Sequence, residues 1–406
     1  MPPKSKRSSM REKIKARLLT QADEKILLSC GVDPASLKYL KPKLQHRVIL
    51  LQGVKLYVAN ILKQTMLSLG GDAAVHRDVI SGKIVHSDCV LTGDLRHFRG
   101  LIEKLTLQPG LTDLAELIKK ILIEAPSSLE LSLCSNTYRW DKIPVIMGIL
   151  NITDDSFSDG GKWIDPDHAC DHAQQMMEEG AQIIDIGGES SRPGARAIDT
   201  AEEISRVIPV IKKIATRIDI PISIDTTKAE VARNAIDAGA CLLNDISALR
   251  HDPDMLRVPV ETGAGVILMH KRGTPRTMQK NTHYNDIMTE IYNFLDERVN
   301  TAIELGLNPS SIIIDPGIGF GKDINGNLKL ISHIAEFKSL GMPVLLGHSK
   351  KAFIGEILDQ SVDQREEGTD AVTSWSILHG VDIVRVHNVG RTQRTKKMLH
   401  AIMENV

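Results

Sequence analysis

The residues able to do chemistry recur at one kind of place in this chain: an apolar run of branched residues ends, and a side chain that can hold a ligand follows at once. Asn151 closes the run from Val145 to Leu150. Asp185, Asp225, Asn244, Met269 with His270, Asp315, Ser349, and Arg385 with His387 close later ones. Taken singly, an Asn or Asp at a strand end caps the next helix, and an Arg or His pairs with a carboxylate. As a set, with Lys351, they suit one ligand that has two different ends. Asp225, Asp315 and Asn244 offer two carboxylates and a carboxamide, able to read the donor and acceptor edge of a flat nitrogen heterocycle. Such a buried array is selective, because a mismatched ligand leaves a polar group unpaired. Arg385, His387 and the amide oxygen of Asn151 suit a diphosphate and its Mg2+ ion. A guanidinium fork grips phosphate, and Mg2+ takes few protein ligands beside water and phosphate oxygens.

The elements that must position these residues are legible from punctuation. Gly180, Gly239, Gly263, Gly306, Gly341 and Gly380 each stand where a helix should end, a few residues before an apolar β run, and glycine takes the left-handed conformation that closes a helix. The strand Ile222 to Ile224 is introduced differently, through Asp219 and Pro221. Between the strands the periodicity is helical, as in Ala169, Ala173, Met176 and Met177. Eight such units, with strands of continuous Val, Ile and Leu, predict a parallel sheet buried on both faces. Polar strand ends on all eight units favour a closed (β/α)8 TIM barrel over an open doubly wound sheet, which would gather them near one switch point. In a barrel they converge on one mouth. The segments NITDDSFSDGG and GGESSRPGA are Gly/Ser-rich, follow strands and are lid candidates. IIIDPGIGFGK, from Ile312 to Lys322, has the look of a nucleotide-binding P-loop, but Asp323 follows the lysine where Ser or Thr should stand, and NGN at 325–327 is expected to interrupt the helix. A glycine turn that lets backbone approach a ligand ring fits better.

Length and composition bound the rest. The 406 residues suit two domains. Residues 1–13 read as a disordered basic tail, 14–140 as a small α/β domain and 141–406 as the barrel, with the polar segment Ser135 to Pro144 as junction. In the first domain, Val48 to Leu51 and Asp88 to Gly93 read as strands, Lys55 to Leu69 as a helix, and Thr112 as the cap of a helix through Ile123. Its His76, His86 and His97 are too scattered to argue for a metal. With 50 basic and 51 acidic residues, no global field recruits nucleic acid or an anionic membrane. The five cysteines are scattered without CxxC spacing, which suits a reducing compartment. No apolar run approaches a membrane span of roughly 20 residues. The expected setting is cytoplasmic; the basic, Ser-rich start resembles the head of a transit peptide, but Glu12, Asp23 and Glu24 follow too soon to favour one.

From Pro144 onward the chain resembles dihydropteroate synthase, of the pterin-binding family. The resemblance rests on MGILNITDDSFSDGG, DIGGESSRPGA, ISIDTT, LLNDIS, IIIDPGIGFGK, GHSKKAFIG and VRVHNV, in the family's order. It implies a transferase of folate biosynthesis that joins 6-hydroxymethyl-7,8-dihydropterin diphosphate to p-aminobenzoate, giving 7,8-dihydropteroate and diphosphate by a dissociative mechanism. It also implies that Asp225, Asn244, Asp315 and Lys351 hold the pterin, with Met269, Gly319 and Phe320 around its ring. Asn151, Arg385, His387 and Arg192 would hold the diphosphate and Mg2+, with Asn151 on the metal. Ser191 and Ser349 would lie near p-aminobenzoate, its carboxylate by the Ser349 backbone and Lys351. Barrels of this family commonly pair through outer helices, so a homodimer is implied.

Three departures stand out. Asp154 replaces the family's usual proline in the first loop, removing a φ restraint; Ser191-Arg192 stands for Thr-Arg; and Ser349-Lys350-Lys351 for Ser-Arg-Lys. Many members lack an N-terminal domain, and this one carries no recognisable motif. Packing on the barrel to steady a loop, or forming a subunit contact, is the expectation for it. Two alternatives compete with the synthase: a pterin-dependent methyltransferase acting on methyltetrahydrofolate, against which the arylamine-side loops and GHSKK speak, and a non-catalytic pterin-binding paralogue.

Overall fold

A computed structural model of the chain describes residues 19, 24–122, 128–141, 144–152, 165–190, 196–273, 277–278 and 280–404. The lid candidates' centres, the Asp154 position, Ser191 and Arg192, and the basic tail lie outside these residues. The chain divides between Leu122 and Ile123 into two compact units, each with its own core.

The first unit is a three-stranded antiparallel sheet of β1 (His46–Lys55), β2 (Asp72–Val75) and β3 (His86–Asp94), in the order β1-β3-β2. Helices Leu56–Leu69, Leu95–Thr106 and Thr112–Ile121 supply Leu62, Met66, Phe98, Leu101 and Ile118 to its core. Asp94 ends β3 and caps the next helix by accepting from the Arg96 N–H, while the His97 ring accepts from the Asp94 N–H at 3.0 Å. This histidine therefore has a structural task. The expectation for Thr112 does not hold. It is the first helical residue, and buried Leu111 occupies the cap position without a side-chain acceptor.

The second unit starts with a β-hairpin, β4 (Leu129–Leu133) and β5 (Asn136–Trp140). The eight parallel strands follow: β6 (Val145–Asn151), β7 (Ile183–Gly187), β8 (Ile222–Asp225), β9 (Leu242–Asp245), β10 (Gly265–Met269), β11 (Ile312–Asp315), β12 (Leu345–Leu346) and β13 (Ile383–Val386). They run in the order β11-β10-β9-β8-β7-β6-β13-β12, and the ring closes through a parallel bridge between Ile314 and Val344. This is the expected TIM barrel. All six helix-ending glycines have positive φ, between 72° and 120°. Among the described residues no helix is long and apolar enough to cross a membrane.

The segment 129–140, read as the end of the first domain, belongs to the barrel's unit instead. Leu129, Leu131 and Leu133 share one core with Val145, Met147, Ile183, Leu242, Ile267, Ile313, Leu345 and Ile383. Those strand residues share one face, and the hairpin is the floor beneath them. The supposed junction is thus a strand, whose alternation of exposed Thr137 and Arg139 with half-buried Tyr138 and Trp140 is short and polar enough to read as linker. Because side chains alternate along a strand, two residues on from the floor come Ile149, Asp185, Asn244, Met269, Asp315 and Arg385, with Asp225 two residues beyond Ser223. A further two bring Asn151, Gly187 and His387. The intervening residues, such as Ile146, Ile184, Ile224, Val266, Ile314 and Val384, pack outward against the helices. The inner face is apolar at the floor and polar at the mouth.

Candidate active site

Asp185 lies at the centre of the polar layer. The Arg385 Nε donates to its Oδ2 at 2.6 Å, and the Asn244 Nδ2 donates to the same oxygen at 3.1 Å. The Arg385 Nη2 donates to Asp225 Oδ2 at 2.9 Å. One cation therefore ties three strand ends together, and charge-assisted bonds of this kind are about twice as strong as neutral ones. Two of the guanidinium's nitrogens are committed to carboxylates, so Arg385 is a fixed charge beneath the mouth rather than an extended fork. Asp185 is fully buried, and its Oδ1 has no partner among the described residues. Asp185 is visible in the sequence as the strand end that opens DIGGESS, but its role comes only from the contacts with Arg385 and Asn244.

Burial and the neighbouring Asp185 push the Asp225 carboxyl up, while Arg385 pulls against them; the outcome is a raised pKa. Asp315 is pushed up to about 6 by burial, offset in part by the Gly317 N–H that it accepts at 2.7 Å and by the nearby lysines. Lys351 is pushed down to about 8 by burial and by Arg385. Its ammonium lies 4.0 Å from the centroid of the Phe320 ring, a cation–π contact. Gly319 makes this possible: a Cβ there would meet Lys351 Cδ at 3.0 Å, and its φ is +83°. Lys350, between Ser349 and Lys351, has φ 55°. That strained conformation is held by Arg365 donating to its carbonyl at 3.0 Å and by its own N–H donating to Thr369 Oγ1 at 3.2 Å.

Ser349 Oγ lies 2.9 Å from His387 Nδ1 and accepts from the His387 N–H at 3.3 Å, which joins the ends of β12 and β13. Met269 and Phe320 form an apolar cluster with Met278, packed by Ile246. Met278, in an irregular loop, was not foreseen. Asn151, Asp225, Gly319, Phe320, Ser349, Lys351, Arg385 and His387 line one cavity of about 1050 Å³. Asn244, Met269 and Asp315 are buried beneath it. The structure thus brings together every expected residue except Ser191 and Arg192, which lie outside the described residues.

The turn after β11 is not a phosphate cradle. Lys322 is buried with its ammonium against backbone carbonyls, and the helix Ile324–Ser332 runs straight through Asn325 to Asn327. The expected interruption fails because Asp323 caps the helix, accepting from Gly326 N–H at 2.7 Å, and Asn327 bonds back to the turn. Among the described residues no group of three or more His, Cys, Asp or Glu is arranged to hold a metal. Asn151 offers one amide oxygen at the rim: the space a Cβ would take on Gly187 lies 3.7 Å from Asn151 Oδ1 and 3.9 Å from Asp225 Oδ2.

Residues 147–387 match a family described as pterin binding enzyme. The dihydropteroate synthase of Bacillus subtilis is 47% identical over 259 residues, 64% of this chain and 88% of the relative. A probable bifunctional folylpolyglutamate synthase/dihydropteroate synthase of Haloferax volcanii is 40% identical over 342 residues, 82% of this chain and 40% of the relative. That match is longer than the barrel unit and so extends into the N-terminal one. Among solved structures, the Xanthomonas albilineans dihydropteroate synthase in complex with 7,8-dihydropteroate superposes with a TM-score of 0.61 at 36% identity, over 68% of this chain and 98% of that one.

Proposed function

The chain belongs to the pterin binding enzyme family, and from that premise we infer how its barrel mouth divides the work of the dihydropteroate synthase reaction. The enzyme is a transferase of folate biosynthesis. It joins 6-hydroxymethyl-7,8-dihydropterin diphosphate to p-aminobenzoate, giving 7,8-dihydropteroate and diphosphate. The observation that carries the assignment of roles is the polar layer in which Arg385 holds Asp185 and Asp225 while Asp185 holds Asn244, at a cavity that Asp225, Lys351 and Arg385 line. Relatives that match over nearly their whole length and bear the synthase name favour this reading over the methyltransferase alternative.

The heterocycle enters edge first. The Asp315 and Asp225 carboxylates accept from its ring and amino N–H groups, and Asn244, its Nδ2 held by Asp185, turns its oxygen to the ligand. Met269 and Phe320 flank the ring, and Lys351 donates to a ring acceptor. The diphosphate points outward to Asn151, Arg385 and His387, with Arg192 from the second loop. The bond from the pterin methylene to the diphosphate oxygen breaks first, its electron pair leaving on diphosphate. Positive charge spreads over the pterin, where the buried carboxylates stabilise it. The amine of p-aminobenzoate, with its carboxylate by Ser349 and Lys351 and its ring by Ser191, then forms the new C–N bond and loses a proton. An aromatic amine is a weak base, so no strong general base is needed. Keeping water out protects the cation.

Mg2+ fits this donor set: one neutral oxygen from Asn151 is the sparse protein ligation that Mg2+ takes when phosphate oxygens and water complete its shell. When bound, it supplies positive charge to the leaving diphosphate. A cytoplasmic setting and a homodimer through outer barrel helices complete the reading. Fractionation and light scattering check these two.

The deciding experiment measures diphosphate release by purified protein with Mg2+ and the dihydropterin diphosphate, with and without p-aminobenzoate. The expected result is release coupled to dihydropteroate formation. Pterin binding with neither release nor product would favour a non-catalytic paralogue instead.

A further inference from the structure

We propose that Lys322 is a positioning residue for pterin recognition: an internal ammonium around which the turn from Asp315 to Lys322 is wound, fixing the Asp315 carboxylate and the Phe320 ring. This rests on the reading of the mouth as a pterin site and adds a residue whose charged end is spent on the protein itself.

Lys322 is 2% exposed. Its Nζ donates to the carbonyls of Gly317 at 2.8 Å, Phe320 at 3.0 Å and His270 at 3.3 Å, and lies 3.0 Å from His270 Nδ1. Burial first, and then the neighbouring Lys322, Arg272 and Arg250, hold the His270 ring neutral, and facing the Lys322 ammonium its Nδ1 is the acceptor. Four acceptors from two strand ends thus converge on one cation. Among the described residues no carboxylate lies within ion-pair distance of it. Holding an ammonium here without a counterion is costly: burial pushes the Lys322 amine down to about 7, with Asp315 pulling the other way, and Met would fill the same space without that cost. Packing alone therefore does not account for the lysine.

The geometry of the turn does. Gly317, Gly319 and Gly321 have φ of 71°, 83° and 70°. The left-handed residues turn the carbonyls of Gly317 and Phe320 inward to the ammonium. The opposite polarity faces out: Gly317 N–H donates to Asp315 Oδ1 and Gly319 N–H to Asn327 Oδ1, each at 2.7 Å. Gly317 couples the two sides of the turn, since its carbonyl holds Lys322 while its N–H aims Asp315. At Phe320 the carbonyl is likewise held, and the ring lies against Lys351. Removing the cation leaves carbonyls converging with nothing between them, and the turn must open. Both pterin contacts then move, while Ser349 and His387, on β12 and β13, do not.

The test compares Lys322→Met and Lys322→Ala with the full wild-type chain. Calorimetry gives the affinity for 6-hydroxymethyl-7,8-dihydropterin diphosphate, and steady-state assays give the p-aminobenzoate KM at saturating pterin. Expected are pterin binding weaker by about tenfold to hundredfold, a p-aminobenzoate KM that barely moves, and partial recovery of Lys322→Ala on adding ethylammonium. If Lys322→Met does not fold, Lys322→Gln, which keeps two donors for the carbonyls, carries the same comparison. Wild-type pterin affinity in a folded variant overturns the proposal. So does equal weakening of both substrates with no amine recovery, which marks general loosening. A wild-type chain that binds no pterin would instead sink the reading of the mouth.

Discussion

At the scale of residues, the mouth works because each charge is held by another that could not stand there alone. Asp185 is the clearest case: it touches Arg385 and Asn244 through one oxygen. Asp185→Asn keeps the shape and removes the charge, and a charged hydrogen-bond partner is worth about 1.5–3 kcal/mol. The expected loss in kcat/KM for the pterin diphosphate is therefore roughly tenfold to hundredfold; an unchanged value would mean that Arg385 is positioned without it. The pH profile follows from the same crowding. Asp315 titrates near about 6 and Asp225 is raised in the same direction, so below that range the carboxyls are protonated and stop accepting from the pterin. Lys351 loses its proton near about 8. Since kcat/KM reports the free enzyme's groups, it should rise with pH through the first value and fall through the second. Lys351→Met should lower the plateau and abolish the alkaline fall; a fall that persists at the same pH would remove Lys351 from that limb.

At the scale of elements, the strands were legible because two local signals agreed, continuous branched apolar runs and a left-handed glycine a few residues before most of them. The convergence of polar strand ends followed from the architecture alone, since a closed parallel barrel has one such mouth. Three features were missed, each for a physical reason. Asp185 looks like any strand-end carboxylate until Arg385, two hundred residues later, is seen to reach it. Lys322 sits in a pattern that usually faces a ligand, and only the three-dimensional convergence of carbonyls shows it turned inward. The hairpin was lost in a boundary, although Leu129, Leu131 and Leu133 carried a period of two that could have marked it. Its role as floor predicts a clean separation of stability from function. Leu131 is fully buried, so Leu131→Ala should cost about 2–5 kcal/mol of unfolding free energy in urea. Both substrate KM values should stay within about twofold. A large KM shift at unchanged stability would mean that the floor acts on the mouth rather than supporting the barrel.

At the scale of the whole molecule, the chain is two cores in one sequence, and every described residue of the site lies in the second. The first core closes on itself: Leu62, Met66, Phe98, Leu101 and Ile118 pack within the antiparallel sheet and its helices. A unit with its own core can fold alone, and this makes the place of division a sharp experimental question. A chain beginning at Ile123 keeps the hairpin, and with it Leu129, Leu131 and Leu133 against the lowest barrel layer. It should fold and bind the pterin diphosphate with the affinity of the full chain. A chain beginning at Asp141 lacks the floor and exposes Met147, Ile183, Leu242, Ile267, Ile313, Leu345 and Ile383 at one end of the barrel. It should aggregate or unfold several degrees earlier, because that much apolar surface is not left open to water without loss of stability. Thermal unfolding and calorimetry of the two shortened chains decide the matter, and equal behaviour would show that the hairpin is dispensable. The p-aminobenzoate KM of the Ile123 chain then tests the idea that the N-terminal unit steadies a loop of the mouth. An elevated KM with unchanged pterin affinity supports it, and identity with the full chain assigns that unit a task apart from catalysis.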